Sequence, residues 1–287
     1  TKIGLSEDEL TTEITEYSGL IVRSAVTVTE KIINSGSNLK VIGRPGVGVD
    51  NVDLEAATNN GIVVMNTPLG NVQATAELTF GIMHSLMRKI SNANQSMHQK
   101  KWEKKKFIGN EMYGKTIGII GFGNIGKKVS QIAHAYGMNV LVYSASISPE
   151  DEKKFNVTNQ SIDDILEGAD IITFHNKLSE NSKYLINSNA ITKMKKNAII
   201  INCARGGLVN EKDIKDALEK RYIAGYGCDV YENEPEQDSI FSSMDNVVMT
   251  PHIGASTIEA QEKVAYQIAE QIVEFLKNNK IINQVNK

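Results

Sequence analysis

Short apolar runs rich in isoleucine and valine recur along the chain, and stretches with apolar residues at helical spacing separate them. Runs that are apolar at every position are typical of buried strands in parallel sheets that helices cover. Eight such runs predict strands, at residues 19–23, 39–43, 61–65, 116–120, 139–143, 170–174, 198–202 and 246–250. The pattern therefore predicts an α/β protein of the Rossmann type, with a doubly wound parallel sheet.

Two longer stretches organise the chain around these strands. Residues 72–99 contain no proline and only Gly81 as a breaker, and they are predicted to link two sheets. Residues 256–280 carry apolar side chains at helical spacing and predict a final helix. Since the 287 residues exceed the roughly 150 that one domain usually takes, we expect two domains with a cleft between them.

The composition is that of an ordinary globular protein, with 41% hydrophobic and 23% charged residues. A net charge of −3 gives no general attraction to nucleic acid or anionic lipid, so small molecules or further copies of the chain are the expected partners. Two cysteines without metal-ligand spacing disfavour both a disulfide framework and a metal site. No apolar run reaches the roughly 18 residues of a membrane span and no signal-peptide pattern opens the sequence, so a cytoplasmic location is expected.

A glycine-rich turn follows the strand predicted at 116–120. It reads Gly-Phe-Gly-Asn-Ile-Gly at residues 121–126, between a strand and a predicted helix within a unit of about 30 residues. Gly121 allows the tight turn, Gly123 lets a pyrophosphate approach the backbone, and Gly126 lets the helix pack close to the sheet. Because N–H groups at a helix N-terminus bind phosphates, the motif predicts a dinucleotide site.

The adenosine end of this site departs from the usual NAD pattern. An Asp or Glu normally ends the second strand and accepts hydrogen bonds from the ribose hydroxyls, whereas this chain has Ser144 there. The change removes the repulsion that excludes a 2′-phosphate, but no Arg or Lys lies between Tyr143 and Glu152 to attract one. NAD is the predicted cofactor, with NADP or the use of both as the alternative.

Three residues suited to alcohol oxidation lie late in the chain, each beyond the C-terminal end of a strand, where such sheets bind ligands. His252 titrates in the useful range for a base in oxidation or an acid in reduction. Glu234 would raise the pKa of that imidazole. The Arg205 guanidinium suits bidentate hydrogen bonds to a carboxylate and a carbonyl oxygen. Taken singly, these residues could be a core histidine, a loop carboxylate and a helix-start residue. Together they predict an active site.

The segments that carry these residues read Ile-Asn-Cys-Ala-Arg-Gly-Gly at 201–207, Asp-Val-Tyr-Glu-Asn-Glu-Pro at 229–235 and Pro-His-Ile-Gly-Ala-Ser-Thr at 251–257. In order and spacing they resemble the three signatures of the D-2-hydroxyacid dehydrogenase family. The resemblance covers nearly the whole chain, and it is closer to the phosphoglycerate dehydrogenases of that family through Arg23, Arg44 and the segments at 65–68 and 101–107. It implies NAD-dependent oxidation of 3-phosphoglycerate in serine biosynthesis, with Arg205, Glu234 and His252 as the catalytic residues.

The resemblance also implies the residues that contact cofactor and substrate. The cofactor contacts cluster in the glycine turn and at strand ends: Val47, Gly121, Gly123, Asn124, Ile125, Gly126, Ser144, His175, Asn176, Cys203, Ala204, Asp229, Gly254 and Ala255. The substrate contacts include cations that match a phosphate and a turn that offers backbone N–H groups: Arg23, Arg44, Val47, Gly48, Asn71, Lys104, Arg205 and His252. Asn176-Lys177 departs from the Thr/Val-Pro pair that the family usually has after His175.

The matched segments place the cofactor domain at 69–255, inserted into a smaller flavodoxin-like substrate domain made of 1–68 and 256–287. By comparison with the family, this smaller domain is expected to lack its first strand and helix, which would expose a sheet edge. No regulatory domain is expected after residue 287, and hence no feedback by serine through one. Residues 72–99 resemble the dimer helix of the family, so a homodimer is expected.

Two other functions are alternatives. Ser144 is compatible with an NADPH-dependent glyoxylate or hydroxypyruvate reductase of the same family. A non-catalytic dinucleotide sensor of the corepressor type shares the fold, and the set of Arg205, Glu234 and His252 does not exclude it. Turnover separates the enzymes from the sensor, and a comparison of the two reduced cofactors separates the enzymes from each other.

Overall fold

The computed structural model describes residues 2–286, which divide into two compact units. The first unit comprises the described residues of Thr1–Val72 and Ala255–Lys287, and the second comprises Gln73–Gly254. Each unit has a parallel sheet with helices packed on it, which confirms the predicted α/β class. Among the described residues, no helix combines the length and the hydrophobicity needed to cross a membrane.

The first unit begins with alternating helices and strands. They are α1 Glu7–Glu13, β1 Gly19–Ile21, α2 Glu30–Ser35, β2 Val41–Arg44, α3 Leu54–Asn59 and β3 Val63–Asn66. The strands form a parallel sheet in the order β1-β2-β3. Side chains that start α1 and α3 fix their N-termini, because Ser6 forms a capping box with Glu9 and Asp53 accepts a hydrogen bond from the Ala56 N–H.

The second unit contains a seven-stranded parallel sheet. Its strands are β4 Thr116–Ile120, β5 Asn139–Tyr143, β6 Thr158–Asn159, β7 Ile171–Phe174, β8 Ile199–Asn202, β9 Gly225–Cys228 and β10 Val247–Met249. The spatial order is β10-β9-β8-β7-β4-β5-β6. The direction of winding reverses between β4 and β7, and ligands bind outside the carboxyl ends of strands at such a switch point.

Helices cover both faces of this sheet. The helices of the second unit are α4 Val72–Met87, α5 Ile90–His98, α6 Asn124–Ala135, α7 Pro149–Phe155, α8 Ile162–Gly168, α9 Ser188–Lys193 and α10 Glu211–Glu219, and all but α5 pack on the sheet or on one another. One buried cluster joins α4 and α6 to the sheet, and another joins α8, α9 and α10 to it. Side-chain caps start four of the helices, through Ser148, Ser161, Asn187 and Asn210.

The stretch at 72–99 is two helices, although its sequence contains no proline to divide it. Lys89 has φ 53°, a left-handed conformation that ends the helical path. The Met87 carbonyl accepts a hydrogen bond from the Asn110 N–H at 2.8 Å, and this bond satisfies an acceptor at the end of α4. A contact with a segment more than twenty residues later therefore decides where α4 stops.

Strands β6 and β9 do not follow from the apolar pattern. β9 reads Gly-Tyr-Gly-Cys, and all four of its residues are buried. A Cβ atom on Gly227 would lie 2.3 Å from Cγ2 of Ile82, so the glycine lets α4 pack directly on the strand. Because glycine has no side chain, Gly225 and Gly227 also interrupt the apolar pattern that would predict a strand here.

The last helix, α11 Ile258–Asn278, belongs to the first unit. Ile268 and Ile272 form a buried cluster with Val41 and Met65 on one face of the three-stranded sheet. A Cβ atom on Gly43 would lie 2.5 Å from Cδ1 of Ile272, so this glycine brings the helix close to β2. The helix predicted at residues 256–280 is confirmed, and it begins at Ile258 and ends at Asn278.

Candidate active site

The glycine turn after β4 has no space for side chains at two of its three glycines. Gly121 has φ 97°, and a Cβ atom there would lie 2.5 Å from the Asn176 nitrogen. A Cβ atom on Gly126 would lie 2.1 Å from the Gly121 oxygen. At Gly123 a Cβ atom would meet no described heavy atom within 4 Å, so the middle of the turn faces open space.

Helix α6 begins at this open space. Its N-cap residue is Gly123, and no side chain of the described residues caps it. The first backbone N–H groups of the helix are thus available to an anion, and the helix dipole favours negative charge there. The three glycines, the open space and the uncapped helix fit the pyrophosphate of a dinucleotide.

Two buried polar atoms beside the turn have no hydrogen-bond partner within residues 2–286, namely His175 Nδ1 and Asn176 Oδ1. His175 Nε2 lies 3.1 Å from Thr173 Oγ1. Burial lowers the pKa of His175 to about 3, so its ring is neutral at physiological pH. Buried polar groups are normally hydrogen-bonded, and these two atoms at the switch point fit polar contacts with a dinucleotide.

The backbone at Ser144 is held by a neighbouring strand. The Ser144 N–H donates to Asn159 Oδ1 at 3.0 Å, and Asn159 Nδ2 donates to the Ser144 oxygen at 3.2 Å. Two of the three carboxylates on α7 have partners, since Asp151 pairs with Lys127 at 2.7 Å and Glu152 accepts the Asn159 N–H at 2.6 Å. The position that usually carries an acidic side chain therefore presents a hydroxyl on a fixed backbone.

His252 and Glu234 form a close pair beyond the ends of β9 and β10. His252 Nδ1 lies 2.6 Å from Glu234 Oε2. This hydrogen bond raises the pKa of His252 above its usual value, and it outweighs the opposing effect of burial. Burial would raise the pKa of Glu234, but the hydrogen bonds and charge of its partners lower it. Each partner therefore favours the charged form of the other.

Arg205 lies beyond the end of β8, and its Nη1 donates to the Ala204 oxygen at 2.6 Å. Its positive charge lowers the pKa of both Glu234 and His252. An effect on both groups requires that the guanidinium lie near the pair. The structure thus brings together the three residues that the sequence predicts as catalytic.

Two residues of the predicted signature, neither of which was predicted as a site residue, shape the Arg205 turn. Asn202 is fully buried, its Nδ2 donates to the Arg205 oxygen at 2.8 Å, and its Oδ1 accepts the Ala204 N–H at 3.1 Å. A Cβ atom on Gly206 would lie 1.9 Å from the carbonyl carbon of Tyr231. The Arg205 turn and the segment that leads to Glu234 are therefore in direct backbone contact.

Asp229 holds the loop that carries His252. Its buried carboxylate accepts hydrogen bonds from the Ile253 N–H at 2.7 Å, the Gly254 N–H at 2.7 Å and Thr250 Oγ1 at 2.6 Å. These donors flank His252, whose φ of 53° is uncommon for a residue other than glycine. The predicted cofactor contact of Asp229 stays a prediction, while these bonds give it a role in fixing the loop.

The other predicted cofactor contacts are divided between the units. Cys203 is buried in the second unit, where burial raises the pKa of its thiol to about 12. A thiol with that pKa is protonated and does not act as a nucleophile at neutral pH. Asn124 and Ile125 open helix α6, and Val47 and Ala255 belong to the first unit.

Most of the predicted substrate contacts lie in the first unit, where Asn51 joins two of them. Asn51 Nδ2 donates to the Arg23 oxygen at 3.0 Å, and Asn51 Oδ1 accepts a hydrogen bond from Arg44 Nε at 3.3 Å. The Val47-Gly48 turn is anchored by Asn66, whose Nδ2 donates to the Val47 oxygen at 2.7 Å. Asn66 lies in the matched segment at 65–68, and neither it nor Asn51 was predicted as a site residue.

Two further predicted substrate contacts differ in burial. The buried Oδ1 of Asn71, in the first unit, has no hydrogen-bond partner within the described residues. Lys104 lies in the second unit, exposed on a short 3-10 helix, Lys104–Phe107. Asn71 thus has an unused acceptor for a ligand, while Lys104 is a solvated cation.

Comparison with known proteins gives a consistent result. Residues 80–254 match the model of the D-isomer specific 2-hydroxyacid dehydrogenase NAD binding domain. The D-3-phosphoglycerate dehydrogenase of Bacillus subtilis (strain 168) is 44% identical over 98% of this chain and 53% of the relative. That of Synechocystis sp. (strain ATCC 27184 / PCC 6803 / Kazusa) is 46% identical over 96% of this chain and 50% of the relative.

Among solved structures, the apo-structure of D-lactate dehydrogenase from Escherichia coli has a TM-score of 0.87 at 27% identity, covering 98% of this chain and 89% of the other. The chain spans about half the length of the curated relatives it matches. The family match contains the glycine turn together with Arg205, Glu234 and His252. The chain belongs to the D-isomer specific 2-hydroxyacid dehydrogenase family.

Proposed function

We propose that the chain oxidises D-3-phosphoglycerate to 3-phosphohydroxypyruvate with NAD, the first step of the phosphorylated route to serine. The observation that carries this proposal is the 2.6 Å pair of His252 and Glu234, on which the charge of Arg205 acts, in a member of this family. Two relatives that match nearly the whole chain are named D-3-phosphoglycerate dehydrogenase.

His252 takes the proton of the substrate hydroxyl in this proposal. Its Nδ1 donates to Glu234, so the neutral ring carries its lone pair on Nε2. Nε2 therefore accepts the hydroxyl proton, and Glu234 stabilises the imidazolium that results. In the reverse direction the same imidazolium returns the proton to the carbonyl oxygen.

Arg205 binds the substrate beside this base. A guanidinium keeps its charge at all physiological pH values, and its planar donors match a carboxylate and the adjacent oxygen. It thereby orients the carbon that is oxidised and stabilises the oxygen on which charge develops. A nicotinamide dinucleotide, when bound, supplies the hydride acceptor.

The phosphate of the substrate calls for cations, and the first unit supplies Arg23 and Arg44. Arginine matches phosphate oxygens in geometry as well as charge. Asn51 bonds to the Arg23 backbone and to the Arg44 side chain, which supports a common task for the two arginines. Asn71 Oδ1, an acceptor in the same unit that is unpartnered among residues 2–286, suits a hydrogen-bond donor of the ligand rather than the phosphate.

The direct test is turnover of the purified protein at alkaline pH. We expect reduced nicotinamide to form with 3-phosphoglycerate and NAD, and to form far more slowly with D-glycerate, which lacks the phosphate. Preferential reduction of glyoxylate or hydroxypyruvate with NADPH would instead support the reductase that Ser144 allows. Binding of the dinucleotide without turnover of any of these substrates would contradict an enzymatic function.

Glu234→Gln is expected to change the pH dependence of the reaction. Oxidation needs neutral His252, so its rate rises as pH passes upward through the His252 pKa, and reduction falls over the same range. Glu234 raises that pKa, so its neutralisation should move both midpoints to lower pH, by about one unit. Glu236→Gln, which alters another carboxylate of the same loop, is the control. Equal midpoints in wild type and Glu234→Gln would contradict the pairing.

Ser144→Asp tests how the adenosine ribose is recognised. A carboxylate there would accept hydrogen bonds from the ribose hydroxyls and repel a 2′-phosphate. We expect the ratio of the NADP and NAD dissociation constants, measured by calorimetry, to increase by about tenfold or more. Ser144→Asn adds a similar volume without charge and should change the ratio little. If both variants keep the wild-type ratio, the ribose is held by other residues.

We further propose that the chain forms a homodimer through the surface of α5 and the segment that follows it. Large hydrophobic side chains are exposed there, including Met97 at 54%, Trp102 at 80% and Ile108 at 75%. Clusters of exposed apolar side chains mark interaction surfaces, and these three lie within a short stretch of the chain. Light scattering should give twice the mass of the chain. Trp102→Glu should give one chain mass, while Tyr266→Glu, at a similarly exposed aromatic residue on α11, should leave the dimer intact.

A further inference from the structure

The segment that carries Glu234 is tied to the start of helix α10 by two reciprocal hydrogen bonds. The Glu232 N–H donates to Glu211 Oε1 at 3.0 Å, and the Glu211 N–H donates to Glu232 Oε1 at 3.1 Å. Glu211 is the first residue of α10, so Glu232 satisfies a donor that the helix cannot bond internally. Each carboxylate thus holds the backbone of the other residue.

Tyr184 adds a third hydrogen bond from another part of the chain. Its hydroxyl donates to Glu232 Oε2 at 3.0 Å. The backbone at Tyr184 is left-handed, with φ 50°, and it is held by bonds to the Gly207 oxygen at 2.8 Å and from Asn187 Nδ2 at 3.0 Å. A left-handed tyrosine is uncommon and persists only when its surroundings fix it.

We propose that Tyr184, Glu211 and Glu232, here called the Glu232 clamp, position Glu234 against His252. The clamp acts two residues before Glu234, on the same segment whose Tyr231 N–H donates to Glu234 Oε1 at 3.1 Å. This positioning role rests on the proposed function of the Glu234–His252 pair. The clamp residues do not touch the reacting atoms; they set where the carboxylate lies.

The chemistry of the clamp explains why three bonds are needed. Glu211 and Glu232 place two carboxylates together, and burial raises the pKa of Glu211, with the charges of Glu232 and Glu236 adding to that effect. Two backbone N–H groups and the Tyr184 hydroxyl compensate the negative charge. Loss of one donor or acceptor should therefore loosen the segment rather than unfold the domain.

The pKa of His252, followed by NMR of histidine-labelled protein without substrate, reads out this positioning. The charged groups that act on His252 are Glu234, Asp229 and Arg205, and none of them is changed by Tyr184→Phe or by the two Glu211 variants. Tyr184→Phe removes only the hydroxyl, and we expect it to lower the His252 pKa by roughly half a unit. Tyr222→Phe removes a hydroxyl from an exposed tyrosine and is the matched control.

Glu211 separates position from charge. Glu211→Gln removes the charge but keeps an oxygen that accepts the Glu232 N–H, whereas Glu211→Ala removes both. If Glu211 acts by positioning the segment, Glu211→Ala should lower the His252 pKa. The His252 pKa in Glu211→Gln should stay close to the wild-type value. Equal shifts in the two variants would mean that Glu211 acts through its charge alone, and they would overturn the clamp.

Kinetics provide a second readout. Because small displacements of a catalytic group lower the rate more than substrate binding, Tyr184→Phe and Glu211→Ala should reduce kcat about threefold to tenfold with little change in KM.

In a Glu234→Gln background, Tyr184→Phe should have no further effect on the His252 pKa. A full additional shift there, or a wild-type pKa and kcat in Tyr184→Phe, would overturn the proposal. The NMR result stands whichever substrate the protein turns over, so failure of the proposed function is distinguishable from failure of the clamp.

Discussion

His252→Ala is expected to lower kcat for 3-phosphoglycerate oxidation by a factor of about 10²–10⁴, the usual worth of a positioned acid or base. The dissociation constant for NAD should stay close to wild type. The glycine turn follows β4 and leads into α6, whereas His252 follows β10. Stopped-flow absorbance of the reduced nicotinamide measures the rate, and calorimetry measures binding. A variant that keeps the full rate would refute the assignment of His252 as the base.

The left-handed backbone at His252 calls for a second variant. Alanine at φ 53° could move the loop as well as remove the imidazole. Asparagine adopts this conformation more readily, so His252→Asn keeps the loop while it removes the titrating group. Both variants should lose rate to the same extent. Arg221→Ala, at an exposed residue with a similar φ of 57°, is the matched control and should behave as wild type.

Gly206→Ala is expected to have the second large effect, although it adds a single methyl group. Its Cβ would lie 1.9 Å from both the carbonyl carbon and the oxygen of Tyr231, so one of the two backbones must move. The Arg205 turn and the Glu234 segment would separate. We expect kcat to decrease by about 10²-fold or more, because misplacement of catalytic groups by an ångström has effects of that size.

The adjacent glycine provides the control for this prediction. A Cβ atom on Gly207 would meet the end of the Leu178 side chain at 3.1 Å, and a leucine side chain can shift. Gly207→Ala should therefore keep most of the activity. Overpacking at Gly206 should also cost about 1–3 kcal/mol of stability, measured by urea unfolding. Equal activity in the two alanine variants would show that the contact between the two segments is not needed.

The strand pattern was sufficient to predict the fold class and most of the larger sheet, for a physical reason. Parallel strands covered by helices on both faces must be apolar at every position, and this leaves a strong local signal. β9 escaped prediction because Gly225 and Gly227 have no side chains to give that signal. The end of α4 escaped it because the bond from Asn110 to Met87 joins residues far apart in sequence.

The candidate site likewise contains residues that the sequence predicts and contacts that it does not. Arg205 and His252 could be predicted because each follows an apolar run that predicts a strand, at the edge where sheets of this type bind ligands. Glu234 follows β9, which the apolar pattern missed, so its prediction depended on the resemblance of its segment to the family. The 2.6 Å contact between His252 and Glu234 depends on side-chain placement that no spacing reveals. The Glu232 clamp depends on hydrogen bonds between residues 21 and 48 positions apart, which no local pattern reveals. Asn202 bonds only to the turn beside it, but its buried side chain was not distinguishable in sequence from other polar residues at a strand end.

The position of α11 has a consequence for synthesis of the protein on the ribosome. The helix supplies Ile268 and Ile272 to one face of the sheet whose strands lie in the first 66 residues. At bacterial and eukaryotic elongation rates, the roughly 180 residues of the second unit take on the order of ten to forty seconds to translate. During that interval Val41 and Met65 have no helix over them. The nascent first unit is therefore an expected chaperone client until its last helix emerges.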